Sequence, residues 1–478
     1  MARTVLVGAS REVEGAPLGD TRLTKRAIQL VDVLAAAPDK SFPRQVDSEG
    51  ELEALYRFVN NEKVTPELLL APHYRATAAR AAEAGRVIVV HDTTGFSFGG
   101  ETPREGLGRI KKGGQGFNAH VGLVVGLEAG VPLGVIGVLP TFRLRPPRQY
   151  PDVQSKRHHR KREFARWEKL VELSAERLDG TKAVHVMDRE ADAYEVFCRL
   201  VEHGQDFVIR SKDDRILDVP WGDDTQPRHL HDALDSASYV MRRDVQLSTK
   251  RPDRMARLRK TPRRMTRVAS LRVTATHVAI RHPPFVGGKS RHGSRLPRAM
   301  PLNVVQVQET SAPAGQVAVR WVLLTTLPVD TVEQVELVID CYRRRWLIEE
   351  YFKAIKTGCA YEKRQLESSH TLLNALALFV PIAWRLLTLR YLARETPDDD
   401  ATAVLSERQI QILRARDKVP LGRRPTVTAL LMAVAAEGGH LKNNGDPGWQ
   451  VLGRGYEKLL YMELGFVLGQ QQRRSDQS

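Results

Sequence analysis

Two apolar runs that each end in an aspartate constrain the fold of this chain more than any other feature. The first is RVIVVHD, which ends at Asp92, and the second is AVHVMD, which ends at Asp188. Short continuous runs of β-branched and apolar residues are typical of strands that are buried on both faces of a sheet. Each run therefore predicts a central strand whose C-terminal tip delivers a carboxylate to the edge of the sheet.

The segments around these runs predict how the strands are connected. FNAHVGLVVGL and PLGVIGVLPTFRL follow Asp92 as two strands of an antiparallel meander, and DFVIRSK follows a helix that begins near Asp192. Three strands and then strand, helix and strand is the order of a ribonuclease H-like core, in which the first and fourth strands are neighbours. We therefore predict an α/β fold with such a core, and we expect Asp92 and Asp188 to lie together.

Two carboxylates at one site predict a divalent cation. Their charges repel each other unless a cation lies between them, and oxygen ligands favour Mg²⁺ or Mn²⁺. The alternative is that one or both aspartates are turn residues, since aspartate is common where a strand ends.

The stretch from Asp330 to Gly358 predicts one long helix. Asp330 is expected to cap its start together with Glu333, and the glycine ends it. Steps of three, four and seven residues place four side chains on one face of this helix: Tyr342, Arg345, Glu349 and Lys356. A carboxylate among cations suits a site that binds phosphate around a metal, although ion pairing on a solvated face explains the same spacing.

The formal net charge of +16 indicates a polyanionic partner, of which nucleic acid is the commonest. Two basic runs, 143–166 and 250–267, carry much of the excess, although both could be solvated loops. Near the start, helices capped at Asp20 and Ser48 and a third that opens at Pro66 are compatible with a small DNA-reading unit.

Alternating patterns predict a β-rich insertion at about 213–319. Trp321 lies on the last of these strands, where a packing role and stacking on an unpaired base are both open. The chain after Ser369 is predicted to be helical, and it either caps the core or packs against a second subunit. Its most apolar segment, TLLNALALFVPIAWRLLTL, is interrupted by polar residues and proline, so we expect a buried helix and no membrane partner.

The cysteines and the first residues indicate an intracellular protein. Cys198, Cys341 and Cys359 have neither the spacing of a zinc site nor an even number for disulfides, so we expect reduced thiols. No signal peptide is expected, because MARTVLVGAS lacks a sustained apolar core with a cleavage site.

The helix pattern Tyr342-(2)-Arg345-(3)-Glu349-(6)-Lys356 resembles the signature of the insertion-sequence-four family of DDE transposases, and within that family the Tn-five type. The resemblance extends over most of the chain up to about Ser369. It runs through GDTRLTKRAIQL, LYRFVNNEKVTPE, HDTTGFSF, MDREADAYE, FVIRSK, RWVLLTT and RWLIEEYFKAIKTGCAYEKRQLES. The basic segment before Trp167 matches only loosely, and the tail is similar in character more than in motif.

This resemblance implies a role for each site residue. Asp92, Asp188 and Glu349 would be the catalytic triad that binds two divalent ions, Mg²⁺ or in its place Mn²⁺. Phosphates of the DNA end would be held by Tyr342, Arg345 and Lys356, with backbone contacts from Arg210 and Lys212. Trp321 would stack on a base flipped out of the duplex when the end forms a hairpin.

The resemblance also implies a division of the chain and a function. Residues 1–75 would bind the terminal inverted repeat, 76–369 would form the catalytic domain, and 370–478 would form the dimer. We expect a cut-and-paste transposase acting on double-stranded DNA in the cytoplasm of a bacterium, associated with the nucleoid. The alternatives are a catalytically silent repressor derived from a transposase and a nuclease of the same fold, which would cut DNA without joining it.

Overall fold

The computed structural model describes most of the chain. The described residues are 8–100, 102–110, 114–143, 153–220, 225–247, 266–283, 296–314, 316, 318–441 and 447–475. Its helices, in chain order, are α1 (Thr21–Ala36), α2 (Glu49–Asn60), α3 (Pro66–Ala84), α4 (Val153–Arg177), α5 (Tyr194–Glu202), α6 (Leu230–Asp235), α7 (Val332–Arg344), α8 (Trp346–Lys353), α9 (Ser369–Glu395), α10 (Glu407–Arg416), α11 (Val427–Glu437) and α12 (Trp449–Ser475). Its strands are β1 (Arg86–Phe98), β2 (Gly108–Arg109), β3 (Gln115–Gly126), β4 (Pro132–Thr141), β5 (Lys182–Met187), β6 (Asp206–Arg210), β7 (Ser238–Leu247), β8 (Arg267–Arg281), β9 (Ala299–Glu309) and β10 (Arg320–Thr325).

The sheet has the connections that the sequence predicts. β1, β3 and β4 form the antiparallel meander, and β1 also pairs in parallel with β5, which pairs in parallel with β6. The first and fourth core strands are therefore neighbours, and the order β4-β3-β1-β5-β6 fits a ribonuclease H-like core. The sheet continues beyond β6 through β10, β9, β8 and β7. The β-rich segment thus extends the same sheet, and β10 brings the chain back beside β6.

Successive residues of β1 face opposite sides of the sheet. Ile88 and Val90 join a large core that also contains residues of α7, α8 and α9, whereas Val87 and Val89 pack with Leu178 just after α4. Asp92 follows the same alternation as Val90 and faces α7 and α8.

The central helix α9 fills the core on that side. It is long and apolar enough to cross a membrane, but 94% of its most apolar stretch is buried inside the protein. This confirms the expectation of a buried helix. Asn374 on α9 donates to the carbonyl groups of Val59 and Val64, at 3.0 and 2.8 Å, and so holds the N-terminal helices.

The predictions of one long helix from Asp330 to Gly358 and of a cap at Asp330 and Glu333 were wrong in detail. Thr331 is the N-cap, in a capping box with Gln334. At Arg345 the chain leaves the α-helical pattern, since the Arg345 N–H donates to Tyr342 O at 3.1 Å, a tighter bond over three residues. α8 then runs into a π-helical turn, Ala354–Gly358, so the helical region still ends at the glycine.

The predicted end of the first strand was also wrong. β1 continues six residues beyond Asp92 because Thr93 to Phe98 remain paired with β3. Its parallel pairing with β5, however, ends at Val90. Asp92 is therefore at the edge of the parallel part of the sheet although it lies in the middle of a strand.

The basic run 250–267 lies outside the described residues except for its last two, and the run 143–166 is described only at Arg143 and from Val153 onward, where it forms the start of α4. The three cysteines are buried and free, as expected.

Candidate active site

Asp92 and Asp188 lie at the same edge of the parallel pair β1 and β5. Asp188 follows β5 directly and caps a 3-10 helix, Arg189–Ala191, with its side chain accepting from the Glu190 N–H at 2.8 Å. The Asp92 side chain is 21% exposed and accepts from the N–H of Thr93 at 2.7 Å. The strand order thus brings together two carboxylates that are 96 positions apart in the sequence.

Arg345 joins the third predicted carboxylate to this edge. Its guanidinium donates to Asp92 Oδ2 at 3.3 Å and to Glu349 Oε1 at 2.9 Å. Glu349 lies one helical turn after Arg345 and is 32% exposed, whereas the arginine is only 15% exposed. The break between α7 and α8 therefore places one cation between two acidic side chains that come from distant parts of the chain.

The pKa of Asp92 depends on its burial and on the charges around it. The pKa of Asp92 is raised to about 7. Burial is the largest cause and the negative charges of Asp188 and Glu349 add to it, whereas Arg345 and the Thr93 N–H oppose it. A carboxyl group with this pKa is only partly ionised at neutral pH. The site therefore has more negative charge than Arg345 alone compensates, which favours a further cation.

The residues present fit a divalent metal in their chemistry. Three carboxylates supply the oxygen ligands that Mg²⁺ and Mn²⁺ prefer. Among the described residues, however, no three histidine, cysteine or acidic side chains are close enough together to hold one ion. An ion that binds Asp92 and Glu349 together requires that Arg345 release at least one of them.

The aromatic residues predicted for the site lie together beside Arg345. The ring centres of Trp321 and Tyr342 are 5.4 Å apart in an edge-to-face contact, and the guanidinium of Arg345 lies 5.9 Å from the Tyr342 ring. Tyr342 is buried and Trp321 is half-buried. Trp321 therefore packs on Tyr342 in this structure, and the residue as a whole is half-buried.

The remaining cationic side chains predicted to bind DNA are at the margins of the candidate site. Lys356 Nζ donates to the carbonyl of Gly95 on β1 at 2.7 Å, which ties the π-helical turn to the strand that carries Asp92. Arg210, at the end of β6, donates to the carbonyl of Arg320 at 3.0 Å. Lys212 is exposed two residues later.

Asp192 has a role that the sequence did not predict. The sequence predicted only that a helix begins near this residue. Its side chain is fully buried and accepts from the N–H groups of Lys212 and Asp213, at 2.6 and 3.3 Å, and from Ser211 Oγ at 3.3 Å. Its other oxygen accepts two bonds from Arg215, one of them from Nε at 3.0 Å. Asp192 therefore fixes the turn that presents Lys212.

A second feature that sequence reasoning missed is a buried histidine cluster on the opposite face of β1. His91 contacts His185 at 2.8 Å, and His120 contacts Thr93 Oγ1 at 2.9 Å. Burial lowers the pKa of all three histidines, that of His185 to about 4, so they are neutral at pH 7. The occurrence of one histidine in each of three predicted strands was the available signal.

Arg166 connects the surroundings of the two aspartates. Its Nε donates to Thr93 Oγ1 at 3.0 Å, next to Asp92, and its Nη2 pairs with Glu190 at 3.4 Å, two residues after Asp188. This arginine on α4 thus supports the neighbours of both aspartates from behind the sheet.

Two sequence families match this chain. Residues 9–64 match the family described as Transposase DNA-binding, and residues 155–380 match the family described as Transposase DDE domain. The first match covers α1 and α2, and the second contains Asp188, Glu349 and the helices around Arg345. Asp92 precedes the second match.

A solved structure is also similar to part of this chain. It is a cryo-EM structure of the piggyBac transposase synaptic complex with hairpin DNA, with 12% sequence identity and a TM-score of 0.36. The similarity covers 78% of this chain and 66% of that one.

Proposed function

We propose that this chain, a transposase with a DNA-binding domain and a DDE domain, is a cut-and-paste enzyme of the insertion-sequence-four family and of the Tn-five type. It binds the terminal inverted repeats of an insertion sequence, cuts the element out through a hairpin intermediate and joins the 3′ ends to target DNA. The observation that carries this proposal is the grouping of Asp92 and Glu349 on Arg345, with Asp188 close enough to raise the pKa of Asp92.

The proposed division of labour follows the order of the chain. Residues 1–75 bind the terminal repeat, 76–369 carry the ribonuclease H-like catalytic domain with its β-rich segment, and 370–478 hold two protomers together in the synaptic complex. The match of residues 9–64 to a transposase DNA-binding family supports the first assignment. As a DNA-associated enzyme of an insertion sequence, the protein would work in the bacterial cytoplasm at the nucleoid.

Asp92, Asp188 and Glu349 are the residues that would hold two divalent ions, Mg²⁺ or Mn²⁺. When bound, these ions activate the attacking oxygen and stabilise the charge of the phosphoryl group in transfer. The cations of the chain do the positioning. Arg345 is placed to move from the carboxylates to a phosphate, because its planar fork fits either anion equally well.

Five further residues complete the proposed site. Tyr342 and Lys356 hold phosphates of the DNA end from either side of Arg345, and Arg210 and Lys212 contact its backbone. Trp321 stacks on the base that is flipped out when the free 3′ hydroxyl attacks the opposite strand. Hydrolysis opens the hairpin, and the same 3′ hydroxyl then attacks the target.

The test is cleavage of a DNA fragment that carries the element's own terminal repeat, in Mg²⁺ and in EDTA, analysed by denaturing electrophoresis. We expect a nick and a hairpin that both require the metal. Glu349→Gln should abolish both products and leave binding of the end measurable. Glu350→Gln is the matched control, because Glu350 is the next residue but pairs with Lys353 and not with Arg345.

Each outcome has a distinct meaning. End binding without a cut in any metal would favour the catalytically silent repressor. Cutting without joining to target DNA would favour a nuclease. Cutting by Glu349→Gln at the rate of the unmodified protein would contradict the assignment of the carboxylates.

A further inference from the structure

A row of arginines crosses the outer part of the sheet. On β7, β8, β9 and β10, directly opposed residues are Arg242, Arg272, Gln308 and Arg320. Directly opposed residues of neighbouring strands point to the same face. All four side chains are exposed. We call these four residues the arginine row.

The arginine row lies on the face of the sheet that α7 does not cover. Its neighbours in sequence point the other way: Trp321 contacts Tyr342 on α7, and Arg243 donates to Asp340 on α7 at 2.8 Å. Because side chains alternate along a strand, Arg320 and Arg242 face away from that helix. This end of the sheet is therefore packed on one face and presents cations on the other.

The arginine row is electrostatically unfavourable for the isolated protein. Arg242 and Arg272 are directly opposite each other, an arrangement of like charges that destabilises a sheet. In the part of the chain that the structure describes, none of the three arginines forms an ion pair. Arg242 donates to Ser270 Oγ, and the guanidinium of Arg272 lies 5.8 Å from the Tyr239 ring. An anionic partner would remove the repulsion.

The chemistry and dimensions of the row fit the backbone of duplex DNA. Guanidinium groups bind phosphate through two parallel hydrogen bonds. Strands are spaced about 4.8 Å apart, so the row is about 14 Å long. Each strand of B-DNA carries about four phosphates over that length. No helix projects from the row to enter a groove, and contacts to phosphate alone carry no sequence information.

The backbone at the inner end of the row is close to the candidate active site, although the side chains of the row are on the opposite face of the sheet. The carbonyl group of Arg320 accepts from Arg210, and the next residue, Trp321, packs on Tyr342 beside Arg345. From there the row leads outward to the edge strand β7. A duplex that lies along the row would run over the face of the sheet opposite to Asp92, from β10 to the edge strand.

We propose that the arginine row binds the sugar–phosphate backbone of target DNA, meaning duplex that lacks the terminal repeat. Target DNA must be held without regard to sequence, as a row of phosphate contacts does. The row also lies on the face of the sheet opposite to Asp92, where a second duplex does not compete with the transposon end. The assignment to target rests on the proposed function, whereas binding of duplex DNA by the row does not.

The experiment measures the affinity of the full chain for a random-sequence duplex as a function of salt concentration. Replacing three arginines by glutamine, in R242Q/R272Q/R320Q, should lower the slope of log affinity against log salt by about 2 to 3, since each lost phosphate contact lowers it by about 0.9. With a duplex that contains only the terminal repeat, the triple variant should have the same salt slope as the unmodified protein. The charge-matched control is R408Q/R423Q/R424Q, which removes one exposed arginine of α10 and two of the loop between α10 and α11.

A second measurement guards against a folding defect. R272Q alone removes one of two opposed like charges, so its melting temperature should equal or exceed that of the unmodified protein while its slope falls by about 1. The proposal is overturned if the triple variant keeps the salt slope of the unmodified protein with random duplex. It is also overturned if the triple variant lowers the salt slope as much with the terminal-repeat duplex as with the random duplex. Failure of the proposed function looks different: cleavage is absent, but the row variants still change random-duplex binding.

Discussion

Two aspartates of this chain are each paired with an arginine, and the two pairs have opposite characters. Asp192 is fully buried, and its oxygens accept five hydrogen bonds, two of them from Arg215. Asp92 is partly exposed and accepts bonds from the Thr93 N–H and from Arg345, which it shares with Glu349. The first carboxylate is saturated, and the second retains capacity for another cation.

The number of hydrogen bonds that each carboxylate accepts separates a structural ion pair from an ion pair at a functional site. Hydrogen bonds to both oxygens stabilise the charged form of a buried carboxylate, and they leave no oxygen available to bind another cation. Burial and two neighbouring carboxylates raise the pKa of Asp92 to about 7, so its ionised form is destabilised in the folded protein. Carboxyl groups with such raised pKa values are typical of functional sites. Stability and binding measurements on matched variants therefore test the difference between the two aspartates.

Removal of the saturated carboxylate should have the largest effect on stability. Asp192→Asn leaves Arg215 buried without a counter-charge, and breaking a buried pair in this way costs about 3 to 5 kcal/mol. Urea unfolding measures this loss. Asp213→Asn, an exposed neighbour in the same turn, is the control and should change the free energy of unfolding by less than about 0.5 kcal/mol.

The same variant tests whether Asp192 positions Lys212. In the fraction that remains folded, the salt slope for DNA binding should fall by about 1, as it should in Lys212→Ala, and the double variant should fall no further. Additive losses would mean that Asp192 has no part in presenting the lysine.

Addition of metal should stabilise the protein through the unsaturated group. A ligand that binds only the folded state at about 100 times its dissociation constant adds about 2.7 kcal/mol to the free energy of unfolding. We expect a Mg²⁺-dependent rise of this order, measured by thermal or urea unfolding without DNA. The rise should disappear in Glu349→Gln and persist in Glu350→Gln; an equal rise in both would place the ion elsewhere.

Neutralisation of the unsaturated carboxylate should leave stability unchanged or raise it slightly. The folded-state pKa of Asp92 is raised, so its stabilising contribution is complete only below the unfolded value near 3.8 and is lost as pH rises through about 7. Asp92→Asn removes this loss and should raise the free energy of unfolding at pH 8 by about 1 kcal/mol. Cleavage of the terminal repeat should fall below detection. A strongly destabilised Asp92→Asn protein would remove the contrast with Asp192.

The parts of this picture that follow from local sequence could be predicted. Apolar runs gave β1 and β5, and the rule that core strands of this order are neighbours placed Asp92 beside Asp188. Helix starts at Asp20 and Ser48 followed from side chains that accept bonds from the first turn. These features depend on residues that are close in sequence or on a rule of topology.

The parts that depend on distant partners could not be predicted. The break at Arg345 places its side chain between Glu349, four residues away, and Asp92, which is 253 residues away. The Asp192 and Arg215 pair joins a helix entrance to a loop, and neither residue carries a motif of its own. At the start of α7, Asp330 and Thr331 are both good caps, so the choice of Thr331 depends on a single residue of register.

A buried carboxyl without an arginine completes the comparison. Glu457 on α12 is 5% exposed, and burial, with a further contribution from the charge of Asp39, raises its pKa to about 9 despite the nearby Lys458. Because this pKa is raised on folding, its contribution to stability is complete below about pH 4.5 and declines as pH rises toward 9.

Glu457→Gln should therefore flatten the loss of stability between pH 6 and 9 and raise the free energy of unfolding at pH 9 by about 1 kcal/mol. Glu463→Gln on the same helix is the control, since Glu463 accepts from Gln409 at 2.7 Å. If the pH dependence of unfolding is the same with and without Glu457, this carboxyl group is solvated on folding. Burial alone would then not raise the pKa of a carboxyl group in this protein, and the raised pKa of Asp92 would be attributed to the charges of Asp188 and Glu349.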